Sequence, residues 1–343
     1  MVLVFIMAAA LWGVGWLMKL PARARLMMLG LLYVGVLIVQ VAFPGGHALR
    51  VATGGSKEAW LGLGVILALV LGYRALLGKL RARARPLEKP KPQGAFRPAE
   101  LERYARHIVL REVGGPGQKR LKDAKVLVIG AGGLGSPALM YLAAAGVGTI
   151  GVVDDDVVDA SNLQRQVIHT DARIGMPKVF SAEEAMRALN PFITIEPYQR
   201  RLEEKDAAAL FADYDLILDG TDNFATRYMV NRVAVATGKP LVAAAITQWE
   251  GQISLYHPAT GAPCYQCIFP KAPAVGLAPS CAEAGVVGAL PGVVGAMMAV
   301  EAIKEITGAG ETLRGRMLLY DALYAENRQV TLKRRDDCPV CGG

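Results

Sequence analysis

The sequence predicts an α/β protein: a mostly parallel sheet flanked by helices, with an additional C-terminal antiparallel part, preceded by three transmembrane helices. Three observations carry that prediction. The first eighty residues hold three long apolar stretches, residues 125–245 alternate short apolar runs with helix-like segments, and two Cys-x-x-Cys pairs fall in the last eighty residues.

The chain of 343 residues is 53% hydrophobic, which is high for a purely soluble enzyme and requires a local concentration of apolar residues. That concentration is residues 1–80, with apolar stretches at 2–18, 26–43 and 59–77. Each reaches the roughly 17 to 25 residues that cross a hydrocarbon core. A cleaved signal does not fit, because no basic region follows Met1 and two further stretches come after the first. Trp12, Trp16, Trp60 and Tyr73 sit toward the ends of the stretches, as interfacial aromatics do.

Charge sets the expected orientation. Lys19, Arg23 and Arg25 lie between the first two stretches, and Lys79, Arg81, Arg83, Arg85, Lys89 and Lys91 follow the third. The other loop carries only Arg50 and Lys57 beside Glu58. The positive-inside bias then predicts an integral inner- or plasma-membrane protein, its N-terminus outside and its large C-terminal part in the cytoplasm. Residues 1–97 hold 13 of the 38 Lys and Arg and 2 of the 30 Asp and Glu, a net of +11, so the remainder carries −3. The overall +8 therefore belongs to the membrane flank, and charge gives no reason to expect nucleic acid.

Residues 81–97 read as a basic linker, with Pro86, Pro90 and Pro92 breaking any helix before Pro98 opens the last domain, 98–343. A helix over 98–110 runs into Gly114, Gly115 and Gly117. Strands are then expected at 125–129, 149–154, 193–197, 216–219 and 241–245, alternating with helices at 137–145, 178–189, 205–211 and 224–237. Further strands at 252–256, 317–321 and 328–333, with a helix at 291–307, supply the antiparallel part.

Gly130, Gly132, Gly133 and Gly135 follow the first of these strands and open a helix with Pro137 in its early turn, a Rossmann-like arrangement that lets backbone approach a nucleotide. Asp154 ends the next strand, where a carboxylate can take ribose hydroxyls. Taken alone these residues also suit NAD or a flavin. Beyond them come Asn162, Arg165 and Lys178, and convergent cations are what a triphosphate losing pyrophosphate needs. Asp222 leaves a strand's C-terminal end, where it can hold Mg²⁺ or cap the helix at Phe224.

Cys264 and Cys267 form Cys-Tyr-Gln-Cys, and Cys338 and Cys341 form Cys-Pro-Val-Cys. Two such pairs supply the four thiolates of a structural Zn²⁺ site, a zinc knuckle, with its halves brought together by folding. Cys281 stands alone after a stretch rich in Pro and Gly.

From Pro98 to Gly343 the chain resembles the MoeB/ThiF/HesA family, relatives of the ubiquitin-activating enzymes. The resemblance rests on Arg103-Tyr104-Ala105-Arg106-His107-Ile108, the glycine motif with Leu134, Ser161-Asn162-Leu163-Gln164-Arg165-Gln166, Pro177-Lys178, Thr221-Asp222-Asn223 and the cysteine pairs. It implies an adenylyltransferase that uses ATP to activate the C-terminal glycine carboxylate of a ubiquitin-like sulfur carrier ending in Gly-Gly, of the molybdopterin-synthase or thiazole type, before a sulfur-donor protein acts. By resemblance Asp154 binds ribose, Asn162, Arg165 and Lys178 contact phosphates, and Asp222 supports Mg²⁺ and adenylylation. Arg106 corresponds to an arginine that enters the partner subunit's site, which implies a homodimer. Cys281 corresponds to a crossover-loop cysteine that in some members forms a thioester or persulfide. Two rival readings are a tRNA threonylcarbamoyladenosine dehydratase-type activation of a tRNA carboxylate, and a non-catalytic membrane scaffold. The family pattern does not include the three N-terminal spans.

Overall fold

The computed structural model describes residues 1–54, 56–83, 94–274 and 281–342, and the side chains of 78–83, 281 and 282 lie outside that description. Most of the expected linker, 84–93, and the side chain of Cys281 are thus outside the described residues. The chain divides into two compact units, 1–91 and 92–343.

The first unit contains helices α1 (Val2–Leu17), α2 (Ala22–Ala42), α3 (Ala48–Thr53) and α4 (Lys57–Arg83). Two helices, not three, are long and apolar enough to cross a membrane: Ala22–Ala42 and Lys57–Leu77, both with mean hydropathy 2.0. The correction concerns α1, whose 16 residues rise only about 24 Å against a hydrocarbon core of about 30 Å. Only 11% and 6% of the two long segments is buried, so their apolar side chains face outward rather than into a protein core. Inside the unit, Val4, Val36 and Trp60 pack together. Trp60 is thus packed inside the unit, 2% exposed. Buried Gln40 donates to Thr53 Oγ1 at 2.8 Å, and Trp60 Nε1 donates to the Gly54 carbonyl at 2.8 Å, so these polar groups find partners within the unit.

The second unit opens with α5 (Pro98–Ile108) and α6 (Gly114–Asp123), then β1 (Lys125–Ile129), α7 (Gly135–Ala145), β2 (Thr149–Val153), α8 (Lys178–Leu189) and β3 (Thr194–Tyr198). It continues with α9 (Glu204–Ala212), β4 (Leu216–Asp219), α10 (Phe224–Ala236), β5 (Leu241–Ile246) and β6 (Glu250–Tyr256). Two short helices, α11 (Tyr265–Ile268) and α12 (Cys281–Ala284), lead to α13 (Ala289–Thr307) and the hairpin β7 (Arg316–Asp321) and β8 (Glu326–Thr331).

All eight strands form one sheet in the order β3-β2-β1-β4-β5-β6-β7-β8. The first five are parallel, and β6, β7 and β8 add antiparallel. Parallel strands covered on both faces read as continuous apolar runs, and Val126, Leu127, Val128 and Ile129 are all buried. One core, containing Val126, Leu139, Leu142, Met186 and Met298, covers one face, and a second, containing Leu127, Phe211, Tyr214 and Val230, covers the other. Each fully buried side chain of this size contributes about 1.5–3 kcal/mol by leaving water.

Helix α6 is an element the sequence reading did not include, and it begins Gly-Gly-Pro-Gly. Pro116 sits in the first turn, where its missing N–H has no intrahelical bond to lose. Packing decides the rest: Gln118 is buried and donates to the Ala145 carbonyl at 2.8 Å, and Leu121 is fully buried.

Candidate nucleotide and metal sites

Strand order places the site. The chain builds β1, β2 and β3 outward in one direction and then returns to lay β4 on the other side of β1, so the carboxyl ends of β1 and β4 flank a switch-point crevice. Ligands in open α/β sheets bind there because the two following loops diverge. The Gly130–Gly135 turn follows β1, and Gly220-Thr221-Asp222 follows β4. These loops touch at their roots: a Cβ on Gly130 (φ +91°) would lie 3.4 Å from the Gly220 carbonyl carbon, and Gly220 N donates to the Ile129 carbonyl at 3.0 Å. Gly135 has no room for any side chain, since a Cβ there would meet the Gly130 oxygen at 1.9 Å. Gly132 and Gly133 form the turn between them, and Arg165 Cδ lies 3.8 Å from where a Cβ on Gly133 would be. Arg165 therefore lies against the glycine turn.

Asp154 follows β2 and faces the same turn. Its Oδ2 accepts the Ala131 N–H at 2.7 Å and its Oδ1 the Asp156 N–H at 2.9 Å. Burial pushes this carboxyl above the ordinary Asp range, while those two N–H donors, Lys178 and the like-charged Asp156 act as smaller influences. Lys178 is buried as the first residue of α8, and its Nζ donates to Asp156 Oδ2 at 2.7 Å. Asn162 turns its side-chain oxygen Oδ1 toward two donors, Arg165 Nη2 at 2.9 Å and Gln166 Nε2 at 3.1 Å. Hydrogen bonds thus join the glycine turn, Asp154, Asp156 and Lys178, while Arg165, held by Asn162, lies against the same turn, so two cations stand beside it.

Asp222 is exposed beyond β4. The helix cap belongs to its neighbour, because Asn223 Oδ1 accepts the Thr226 N–H at 2.9 Å. Buried Asp219 accepts from Thr221 N at 2.9 Å and Thr221 Oγ1 at 2.7 Å, and the buried Arg227 donates to the Thr221 carbonyl, so the segment carrying Asp222 is held from both sides. Arg106 is exposed on α5 and makes no hydrogen bond or ion pair to the cluster among the described residues. Sequence reasoning missed Asp156 and His169, which engage Lys178 and the Ala131 carbonyl respectively. The acidic run 154–156 was a signal for the first. None pointed to the second, which lies 38 positions from its partner.

The four paired cysteines meet. Sγ atoms of Cys264 and Cys267 are 3.8 Å apart, Cys264 and Cys338 3.6 Å, and Cys267 and Cys341 3.4 Å, with all four residues buried. A tetrahedral Zn²⁺ with S at about 2.3 Å spaces its sulfurs by roughly 3.8 Å, so the donor set fits that ion. Burial pushes the Cys264 thiol up. Cys338 is also raised by burial, yet the backbone N–H groups of Cys341 and Val340 and the neighbouring thiols hold it down at about 7.

Residues 104–340 match the ThiF family. Over 247 residues the chain is 52% identical to the sulfur carrier protein adenylyltransferase of Thermus thermophilus, spanning 71% of this chain and 91% of that protein. It is also 52% identical over 252 residues to the probable adenylyltransferase/sulfurtransferase MoeZ of Mycobacterium tuberculosis, covering 73% of this chain and 64% of MoeZ. It thus spans less than two thirds of MoeZ. Among solved structures, E. coli MccB with MccA-N7isoASN aligns with a TM-score of 0.63 over 70% of this chain and 75% of that one, at 23% identity, a likeness of fold. Residues 1–103 lie outside the family match.

Proposed function

Because this chain belongs to the ThiF family, we propose that it adenylylates the C-terminal glycine carboxylate of a ubiquitin-like sulfur carrier, preparing that carboxylate for thiocarboxylation. The observation that carries this reading is the convergence of the glycine turn, Asp154, Arg165 and Lys178 at one switch point. The relative that this chain spans almost end to end is named for the same chemistry, which supports it further.

In this reading the carrier carboxylate, already ionised at neutral pH, attacks the α-phosphorus of ATP, and pyrophosphate leaves. No general base is needed. Lys178 and Arg165 neutralise charge that grows on the phosphate oxygens, an effect strengthened because Lys178 is held in place before the reaction begins. Asn162 fixes Arg165, and Asp154 takes the ribose. Asp222 would hold Mg²⁺, whose chemistry here is charge neutralisation of the leaving phosphates. Arg106, exposed on its own subunit, serves the neighbouring site in a homodimer. Cys281 is the candidate for later covalent attachment of the carrier or sulfur.

Helices α2 and α4 anchor the enzyme in an inner or plasma membrane, 81–97 form the linker, and 98–343 the cytoplasmic adenylylation domain; two crossings return the chain to the side it started from, so the N-terminus lies in the cytoplasm as well, in place of the outside position that three spans would give. The outward-facing apolar helices and the basic loops support this arrangement. Carrier-dependent exchange of labelled pyrophosphate into ATP tests the proposed activity.

A further inference from the structure

The peptide units of Ala131, inside the glycine turn, are gripped from both sides. Its N–H goes to Asp154 Oδ2 at 2.7 Å, and its carbonyl lies 2.9 Å from His169 Nε2. The other donor at that carbonyl, Ser136 Oγ, is at 3.4 Å. On the far side of the ring, His169 Nδ1 lies 2.9 Å from Ser181 Oγ. His169 and Ser181 are both buried.

A backbone carbonyl only accepts, so Nε2 carries a proton and donates it to Ala131. In the neutral ring Nδ1 is then the acceptor and Ser181 Oγ–H its donor. Ser181 stands three residues after Lys178, one turn along α8. The links therefore close a ring: Ala131 to Asp154, Asp154 to the Asp156 backbone, Asp156 to Lys178, along α8 to Ser181, to His169, and back to Ala131. The turn that faces the nucleotide and the lysine proposed for its phosphates are thereby held in one register.

We propose that His169, oriented by Ser181, is a positioning residue of the nucleotide site: it fixes the Ala131 carbonyl so that the glycine turn and Lys178 present themselves to ATP together. The inference rests on the adenylylation reading. It assigns His169 no contact with substrate.

The test uses the full chain in detergent, with ATP as the probe. Direct ATP affinity, the KM for ATP in carrier-dependent pyrophosphate exchange, and the thermal midpoint are compared for wild type, His169→Phe, His169→Gln and Ser181→Ala. Phe fills the space and donates nothing, so ATP affinity should fall and KM rise roughly five- to tenfold, with kcat changed less than about twofold. Gln places an amide N–H where Nε2 stands, and should restore KM to within about twofold of wild type. Ser181→Ala should raise KM about two- to threefold alone and have no further effect in the His169→Gln background, because its hydroxyl acts only through the imidazole. Equal impairment by Phe and Gln, or a lowered midpoint with unchanged ATP affinity, would show His169 to be a packing residue and overturn the proposal. If the wild type binds ATP yet exchanges with no carrier, the functional reading fails while the affinities still decide the role of His169. A wild type that binds no ATP overturns both.

Discussion

Lys178 and Asp156 form an ion pair of 2.7 Å in which the two partners differ sharply in exposure: the lysine side chain is 5% exposed and the aspartate 66%. The cation is the buried member, and its solvent-facing partner can give way to an incoming phosphate without leaving a charge stranded in the core.

Removing that partner should therefore harm the empty enzyme more than the nucleotide-bound one. Asp156→Ala leaves a buried ammonium with its main counter-charge gone, and is expected to lower stability by about 1–2 kcal/mol. Saturating ATP should recover most of the loss, since phosphate takes over the role. Thermal unfolding with and without ATP measures this, and an equal loss in both conditions would argue against phosphate contact by Lys178.

The cysteine geometry predicts about one Zn per chain. Cys338→Ser should lose the metal and with it most folded protein, because the site ties the chain's last turn to α11 and the residues before it. Metal analysis of well-folded protein that finds no zinc would remove this assignment.

His169 makes stability depend on pH. Burial lowers its affinity for a proton, and the nearby Lys178 and Arg173 lower it further, against an opposing effect of the Ala131 carbonyl. A histidine with a folded pKa below its unfolded value near 6.5 adds stability that is complete above that value and is lost as pH falls through the lowered one. His257, lowered by burial and Arg314, acts in the same direction. His169→Gln should therefore flatten, without abolishing, the fall in unfolding midpoint below pH 6.5, and an unchanged slope would mean that the ring is not held neutral.

Much of this fold was legible because its strands are apolar runs covered on both faces, so β1, β4 and α8 stand where the sequence places them. The cysteine site was equally legible, since zinc spacing survives the 70 residues between its halves. Tertiary choices were not. Gly114 opens a helix because Gln118 and Leu121 find a packed interface, and Asn223 rather than Asp222 caps α10 because its side chain reaches Thr226 N. Length ruled out α1 as a full span, although its composition is the most apolar of the N-terminal helices. His169 escaped notice since nothing near it in sequence announces a contact with Ala131.

The membrane reading predicts that the chain stays with membranes through high-salt washing and that a reporter fused after Gly343 is cytoplasmic. Deleting residues 1–80 should yield a soluble protein that retains ATP binding. Release of the full chain by salt alone would mean that α2 and α4 do not cross the bilayer.

Carrier-dependent exchange of labelled pyrophosphate into ATP addresses the central claim most directly, because only reversible acyl-adenylate formation produces it. Wild-type chain with a ubiquitin-like carrier ending in Gly-Gly should exchange. Asp222→Ala should lower the rate by at least about 10²-fold while ATP still binds, since the glycine turn and Asp154 are untouched. Arg106→Ala should also fail, and mixed dimers of the two variants should regain roughly one working site in two if Arg106 serves the neighbouring subunit. Cys281→Ala should leave the exchange intact. Exchange by the wild type with a tRNA substrate but not with the carrier would contradict the account.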